Sequence, residues 1–380
     1  MTVGTLEGAT LDGRGVRIRI SDAVITAVEP LPGADPHSIL LPGLVDCQVN
    51  GFAGADVNAA DVSEETIVAL TEALVAEGVT SFCPTVISAP PDGILRALRV
   101  IRSARDKHPL VADRVAGIHV EGPSLSPDDG ARGAHPVDAL RDPDPTELEH
   151  WLAAADGLLR IITLAPERPG SCGYIRTATA AGVRVAVGHT AATPEQIHRA
   201  AEAGATLSTH LGNGAHRMLP RHPNYLWAQL ADDRLSAGLI TDGHHLPADT
   251  VTTMIRAKGP GRTFLVSDAA ALAHCPPGDY RTPVGGSVTV DPDGALRLTG
   301  TNLGAGSGSS LRECLRWALH NTPFAAGRLV DMATAVPAGL VGLSDRGALA
   351  VGRRADILVA DPDLRPRAVV VAGVRRENGG

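Results

Sequence analysis

The chain has 380 residues, of which 44% are hydrophobic and 20% are charged, so it can bury a large core and is not intrinsically disordered. Lys and Arg number 34 against 42 Asp and Glu, and this net charge of −8 argues against a protein built to bind nucleic acid. No apolar run is long enough to span a bilayer, and the start of the sequence lacks a signal-peptide pattern.

Five scattered cysteines lack the spacing of a zinc ribbon or a redox motif. Reduced thiols of this kind are typical of intracellular proteins. We therefore expect a cytoplasmic protein that has neither a membrane nor a nucleic acid as its partner.

The two ends of the chain share a β-rich pattern. VRIRI and AVITAVEP lie near the start, and ADILVAD and RAVVVAGVRREN lie near the end. Short alternating runs broken by Gly and Pro predict antiparallel strands. We predict that residues 1–41 and 336–380 pair into a small β-sandwich domain, and that residues 42–335 form a second domain.

The middle of the chain alternates predicted strands with predicted helices. The eight candidate strands are apolar runs at 44–48, 79–83, 115–120, 160–164, 184–188, 205–209, 236–241 and 263–267. Such alternation predicts a parallel sheet, and eight strands favour a closed (β/α)8, TIM-like barrel of the α/β class. An open, doubly wound sheet is the alternative.

Two helices show clear start signals. Ile67, Leu70 and Leu74 recur at helical spacing after Ser63. The pattern is stronger over 193–204, where a threonine N-cap, a proline at the first position and a glutamine at the capping-box position precede a terminal glycine. Both segments are therefore predicted helices between strands.

Polar side chains follow most of the predicted strands and distinguish the two folds. They are Gln48, Asn50, Glu121, His189, His210, Asp242, His245 and Asp268. In a (β/α)8 barrel, residues after the strands collect at the C-terminal mouth, where catalysis occurs. An open sheet would concentrate them at one switch point. The distribution favours the barrel.

Three of these residues have the chemistry of a metal site. His189 and His210 are one strand–helix unit apart, and Glu121 ends an earlier strand. Two imidazoles and one carboxylate suit a catalytic divalent ion, which could be zinc, iron, cobalt or manganese. Asp268, after the eighth strand, is a candidate proton acceptor for water at this site.

Seven segments, taken in order, carry a resemblance to a known family. They are LLPGLVDCQVNGFAG, GIHVEGPSLSP with GAHP, VAVGHTAATPEQ, STHLGNGA, LITDGHHLP, FLVSDAAAL and VGRRADILVAD. Together they resemble the N-acetylglucosamine-6-phosphate deacetylase family of the amidohydrolase superfamily. The resemblance implies a (β/α)8 barrel with a small β domain built from both chain ends.

The resemblance implies a role for each residue of the predicted centre. Glu121, His189 and His210 match the metal ligands, and Asp268 matches the general base that later acts as the acid. His135, in GAHP, matches a histidine that polarises the scissile carbonyl. Gln48 and Asn50 replace the His-x-His pair of two-metal amidohydrolases, which implies one divalent ion per chain, with zinc expected.

Other matching residues concern the substrate. Asn213 and Gly214 match a stretch that meets the substrate phosphate, and Arg221 matches a phosphate-binding arginine. His245 matches a histidine that reaches a phosphate, in the family often from the neighbouring subunit, which implies a homodimer. The sequence departs from the family at Gly212 and His216, beside the same pocket, and in the long glycine-rich segment LTGTNLGAGSGSS.

The resulting prediction is a metal-dependent amidohydrolase that converts N-acetylglucosamine 6-phosphate into glucosamine 6-phosphate and acetate. The alternative substrate is another N-acyl amino sugar, with or without a phosphate. A remote alternative is an amidohydrolase-like binding protein without turnover. A two-metal hydrolase of cyclic amides or dipeptides is disfavoured by Gln48 and Asn50.

Overall fold

The computed structural model describes residues 4–282, 286–301 and 303–377. Its centre is an eight-stranded sheet in the order β14-β13-β12-β11-β10-β9-β8-β5, in which every pairing is parallel. The strands are β5 (Leu44–Val49), β8 (Val79–Ile87), β9 (Ile118–Glu121), β10 (Leu159–Leu164), β11 (Arg184–Val187), β12 (Leu207–Ser208), β13 (Ser236–Leu239) and β14 (Thr263–Leu265). The predicted barrel strands are confirmed.

The barrel closes between its first and last strands by a mixture of backbone and side-chain contacts. A parallel bridge joins Val49 to Ala269, just beyond β14. Earlier in β5, the buried Asp46 carboxylate accepts hydrogen bonds from the backbone N–H groups of Gln48 and Ser267 at 3.2 and 3.3 Å. Asp46 thus supplies an acceptor where the ladder between the two strands is incomplete.

Helices cover the outside of the barrel and separate its strands. They are α1 (Glu64–Ala76), α2 (Pro91–Lys107), α3 (Pro109–Ala112), α4 (Pro145–Ala155), α5 (Ser171–Ala180), α6 (Pro194–Ala203), α7 (Tyr225–Ala231), α8 (Ala248–Lys258), α9 (Leu311–Asn321), α10 (Ala326–Ala333) and α11 (Ala335–Leu340), with a 3-10 turn at Val137–Ala139. Helix α6 begins with the predicted capping box and ends at Gly204, in the left-handed conformation. Ser63 caps α1 as predicted. Among the described residues, no helix is long and apolar enough to cross a membrane.

The two chain ends meet in one seven-stranded sheet, ordered β20-β19-β18-β4-β1-β2-β3. Its strands are β1 (Thr5–Ala9), β2 (Gly15–Ser21), β3 (Val24–Pro30), β4 (Ile39–Pro42), β18 (Ile357–Ala360), β19 (Pro366–Val371) and β20 (Val374–Glu377). The antiparallel pair β4–β18 joins the halves, and apolar side chains from both ends share one core. The domain boundaries at residues 41 and 336 stay a prediction, and α11, just at the second boundary, packs against β5 and β14 of the barrel.

Two small antiparallel sheets flank the C-terminal mouth of the barrel. A hairpin of β6 (Gly51–Phe52) and β7 (Ala55–Asp56) follows the first barrel strand. A three-stranded insert of β15 (Gly278–Thr282), β16 (Gly286–Val290) and β17 (Leu296–Leu298) lies between β14 and α9. The strands of this insert are not among those predicted from the sequence. Its small core is built around Val288, Val290 and Leu296.

Candidate active site

Glu121, His189 and His210 meet at the C-terminal mouth of the barrel, where the strand ends place them. All three side chains are buried. Glu121 Oε1 lies 3.0 Å from His210 Nε2 and 3.4 Å from His189 Nε2, and the two Nε2 atoms are 3.1 Å apart. His189 Nδ1 lies 2.9 Å from the carbonyl oxygen of Ala131, to which it donates. This bond leaves Nε2 of His189 with a lone pair directed at the other two groups.

The three atoms fit one divalent cation. Ligand atoms at the usual 2.0–2.1 Å from a tetrahedral zinc ion are separated by about 3.3 Å. The spacings of 3.0, 3.1 and 3.4 Å are close to that value. One carboxylate and two imidazoles are also a donor set that zinc and similar ions accept, with room for a further ligand.

The backbone is left-handed at three of the residues after the strands. His189, His210 and Asp268 have φ values of 48°, 24° and 51°. None of them is a glycine, so each conformation costs free energy that the surrounding packing must offset. The strained turns point all three side chains inward at the mouth, and backbone strain of this kind concentrates at functional sites.

Gln48 and Asn50 bind the carboxylates of the site. Gln48 Nε2 donates to Glu121 Oε1 at 2.9 Å and to Asp268 Oδ1 at 3.0 Å, and Asn50 Nδ2 donates to the same Asp268 oxygen at 2.8 Å. Carboxylate oxygens only accept when ionised, so both amides must present their nitrogen. An amide nitrogen has no lone pair for a metal, so these two side chains orient Asp268 and Glu121.

Asp268 is buried and lines the main cavity. Both amide donors bind its Oδ1, and Oδ2 has no hydrogen-bond partner among the described residues. Burial raises the pKa of this carboxyl group, and the nearby charge of Glu121 adds to the effect. A carboxylate with one oxygen anchored, the other available and a raised pKa suits proton transfer.

His135 reaches the site from the long loop after β9. Its Nδ1 lies 2.9 Å from Ser88 Oγ, its Nε2 lies 3.9 Å from Glu121 Oε2, and its ring packs edge-on against His189. Burial lowers the pKa of His135 to about 3, so the imidazole is neutral at physiological pH. A neutral ring with a hydroxyl group at one nitrogen can donate a hydrogen bond from the other.

A cavity of about 950 Å³ opens above these residues, and it is lined by some of the predicted phosphate-binding residues but not by all of them. Asn213, Gly214 and His245 line it, so His245 lies in the cavity of its own chain. Arg221 is exposed and is not part of the lining. Arg217, four positions before Arg221, lines the cavity instead; apart from its basic side chain, no motif in the sequence indicated this position.

The residues from Gly212 to His216 have specific structural surroundings. Gly214 has φ of 55°, and a Cβ there would lie 2.6 Å from Nδ1 of His189, so only glycine fits against the ligand ring. A Cβ at Gly212 would lie 2.9 Å from the terminal methyl of Met254. His216, expected beside the pocket, is not part of the cavity lining; its backbone N–H and its Nδ1 both lie 2.9 Å from Tyr225 Oη.

This barrel and its buried Glu–His–His set define a metal-dependent hydrolase of the amidohydrolase type. Residues 39–376 match the amidohydrolase family, to which the chain belongs.

Within that family the chain is similar to sugar-phosphate deacetylases. An Escherichia coli O157:H7 N-acetylgalactosamine-6-phosphate deacetylase is 33% identical over 94% of this chain and 93% of its own length. A Bos taurus N-acetylglucosamine-6-phosphate deacetylase is 36% identical over 88% and 82%. The structure of a mutant N-acetyl-D-glucosamine-6-phosphate deacetylase from Mycobacterium smegmatis, in complex with N-acetyl-D-glucosamine-6-phosphate, has a TM-score of 0.86 at 32% identity and 98% coverage of both chains. The chain is a member of the N-acetylglucosamine-6-phosphate deacetylase family.

Proposed function

We propose that this protein removes the N-acetyl group of N-acetylglucosamine 6-phosphate by metal-dependent hydrolysis, releasing acetate and glucosamine 6-phosphate. One observation carries the proposal. The ligand set Glu121–His189–His210, the anchored carboxylate of Asp268 and the neutral ring of His135 converge on one floor of a cavity of about 950 Å³. Family membership and the relatives' substrates support the same reaction.

Glu121, His189 and His210 would hold one divalent ion, and we propose zinc. Such an ion, when bound, polarises the amide carbonyl and makes a water molecule more acidic. Among the residues that the structure describes, a second ion has no comparable site, because Gln48 and Asn50 turn their amide nitrogens toward the carboxylates.

Asp268 and His135, which lie beside the metal ligands, have separate roles in the proposed reaction. Asp268, held through Oδ1, accepts the proton of the attacking water at Oδ2 and then delivers it to the departing amine nitrogen. His135 stays neutral and donates from Nε2 to the carbonyl oxygen as negative charge develops there. For this, Nδ1 of His135 accepts the hydrogen bond of Ser88.

The phosphate would bind at the side of the cavity formed by Asn213, Gly214 and His245. Arg221 lies outside its own cavity, in an exposed segment that also carries Met218, 87% exposed. We propose a homodimer in which Arg221 serves the cavity of the second copy.

The five cysteines form no disulfide, which supports a cytoplasmic location.

N-Acetylgalactosamine 6-phosphate is the second candidate substrate, because a relative that covers nearly the whole chain acts on that sugar. Acetate release by the metal-replete protein from both phosphorylated sugars, and from unphosphorylated N-acetylglucosamine, tests the proposal. The expected order places N-acetylglucosamine 6-phosphate first in kcat/KM. Equal rates with and without the phosphate would refute the sugar-phosphate assignment, and absence of acetate from all three would refute the deacetylase.

A further inference from the structure

The glycine-rich segment at 304–310 packs closely against neighbouring backbone. A Cβ on Gly308 would lie 1.8 Å from the carbonyl oxygen of Gly294, so any larger residue would displace the backbone. Gly306 has φ of 81°, which also favours glycine. Between these two glycines lies Ser307, whose exposed fraction is 1%. The two glycines therefore hold one buried serine in place.

Ser307 contacts two parts of the active site through different atoms. Its backbone N–H donates to the carbonyl oxygen of Asp268 at 3.0 Å, and its carbonyl oxygen accepts from Ala270 at 3.0 Å. Its hydroxyl donates to Oδ2 of Asp242 at 3.0 Å. The backbone of Ser307 thus supports Asp268, whereas its hydroxyl donates to Asp242 and accepts from the backbone N–H of Ser309 at 3.1 Å.

Asp242 is fully engaged as an acceptor. Besides Ser307, its Oδ2 accepts from His245 Nδ1 at 2.7 Å, and its Oδ1 accepts from the backbone N–H groups of His244 and His245 at 2.9 and 3.0 Å. The carboxylate fixes the proton on Nδ1 of His245, which leaves Nε2 to face the cavity near Gly304.

The charge of His245 also depends on Asp242. Burial lowers the pKa of this imidazole, but the hydrogen bond and charge of Asp242 outweigh burial and raise it. Asp268 adds attraction and His210 adds repulsion from across the cavity. The raised pKa favours the protonated ring, which suits an anionic group of the substrate.

We propose that Asp242 and Ser307 are positioning residues for phosphate recognition: Ser307 orients the carboxylate of Asp242, and Asp242 holds His245 with its Nε2 directed into the cavity. This inference rests on the proposed function, in which His245 meets the substrate phosphate. Neither residue touches the reacting atoms.

The kinetic test compares N-acetylglucosamine 6-phosphate with N-acetylglucosamine. We expect Asp242→Asn to raise KM for the phosphorylated sugar about tenfold, to change kcat less than about threefold, and to leave the unphosphorylated sugar unaffected. Ser307→Ala, which retains the backbone bond to Asp268, should raise the same KM by a smaller factor. Ser309→Ala is the matched control: it keeps the backbone N–H that donates to Ser307 and removes only a hydroxyl of the same segment, so it should leave kcat and KM for both sugars unchanged.

A double-mutant cycle tests whether Asp242 acts through His245. The pair Asp242→Asn with His245→Gln should have the KM of His245→Gln alone, because the ring that Asp242 positions is already absent. Additive effects of the two substitutions, or equal effects on both sugars, would overturn the proposal. Ser307→Ala in place of Asp242→Asn provides the same cycle if the aspartate variant does not fold.

Histidine ring ¹⁵N shifts provide a readout without substrate. In the wild type, His245 should carry a proton on Nδ1, and in Asp242→Asn it should lose that proton. An unprotonated Nδ1 in the wild type would overturn the positioning role whatever the substrate is. A wild type that cleaves both sugars equally, with the expected ring shifts, would refute the phosphate assignment of the proposed function and the role in phosphate recognition, but would leave the positioning of His245 by Asp242 in place.

Discussion

Replacing Asp268 with asparagine should remove proton transfer and little else. In the wild type, the amide nitrogens of Gln48 and Asn50 both donate to Asp268 Oδ1, at 3.0 and 2.8 Å. An asparagine must turn its own oxygen toward these two donors to satisfy them. Its NH₂ group then faces the cavity, where the wild type presents a carboxylate oxygen. The variant therefore keeps both hydrogen bonds but cannot accept a proton from water.

The expected loss in kcat is about 10²–10⁴-fold, the usual contribution of a general acid–base group. This loss corresponds to about 2.7–5.5 kcal/mol of activation free energy. Metal content should stay at the wild-type level, because Asp268 is outside the set Glu121–His189–His210. Stopped and steady-state assays of acetate release, together with elemental analysis of the same preparation, measure both quantities.

Asp249→Asn is the matched control, because it is the same substitution at an exposed aspartate on the surface of α8. It should keep wild-type kcat, metal content and melting temperature. If Asp268→Asn retained more than about a tenth of wild-type kcat with its metal bound, Asp268 could not be the general base. Loss of the metal in this variant would refute the separation of ligands from base.

Three further predictions follow from the same structure. Elemental analysis should find about one divalent ion per chain, and His189→Asn should lower occupancy and activity together; two tightly held ions would contradict the role given to Gln48. Arg221→Ala should raise KM for the phosphorylated sugar about ten- to a hundredfold, and mixing this variant with Asp268→Asn should restore part of the activity if Arg221 serves the second copy of a homodimer; no recovery after subunit exchange would count against that arrangement. Burial raises the pKa of Asp46 to about 7, whereas an aspartate in the unfolded chain titrates near pH 4. Between these two pH values the unfolded chain releases the proton and the folded chain keeps it, so the free energy of unfolding falls as pH rises toward 7. Asp46→Asn should therefore gain melting temperature relative to the wild type between pH 5 and pH 8, and parallel curves for the two proteins would exclude this explanation.

The barrel and its metal-ligand set could be predicted from the sequence because both depend on local patterns. Apolar runs of strand length, separated by capped helices such as α6, imply a parallel sheet. Each polar residue directly after a run must then lie at the same mouth. Glu121, His189 and His210 meet for that reason, and their chemistry needs no contact beyond the strand ends.

Tertiary structure alone decided the contacts that depend on long connections. His135 reaches Ser88 from a loop whose path no periodicity predicts. The exposed position of Arg221, outside its own cavity, depends on how the loop before α7 packs. Ser307 reaches Asp242 across 65 residues because two glycines allow close backbone approach. Hydrophobic burial and barrel topology place the strand ends, and both can be predicted from sequence patterns. Packing between segments distant in the chain places the loops, and no local sequence pattern predicts that packing.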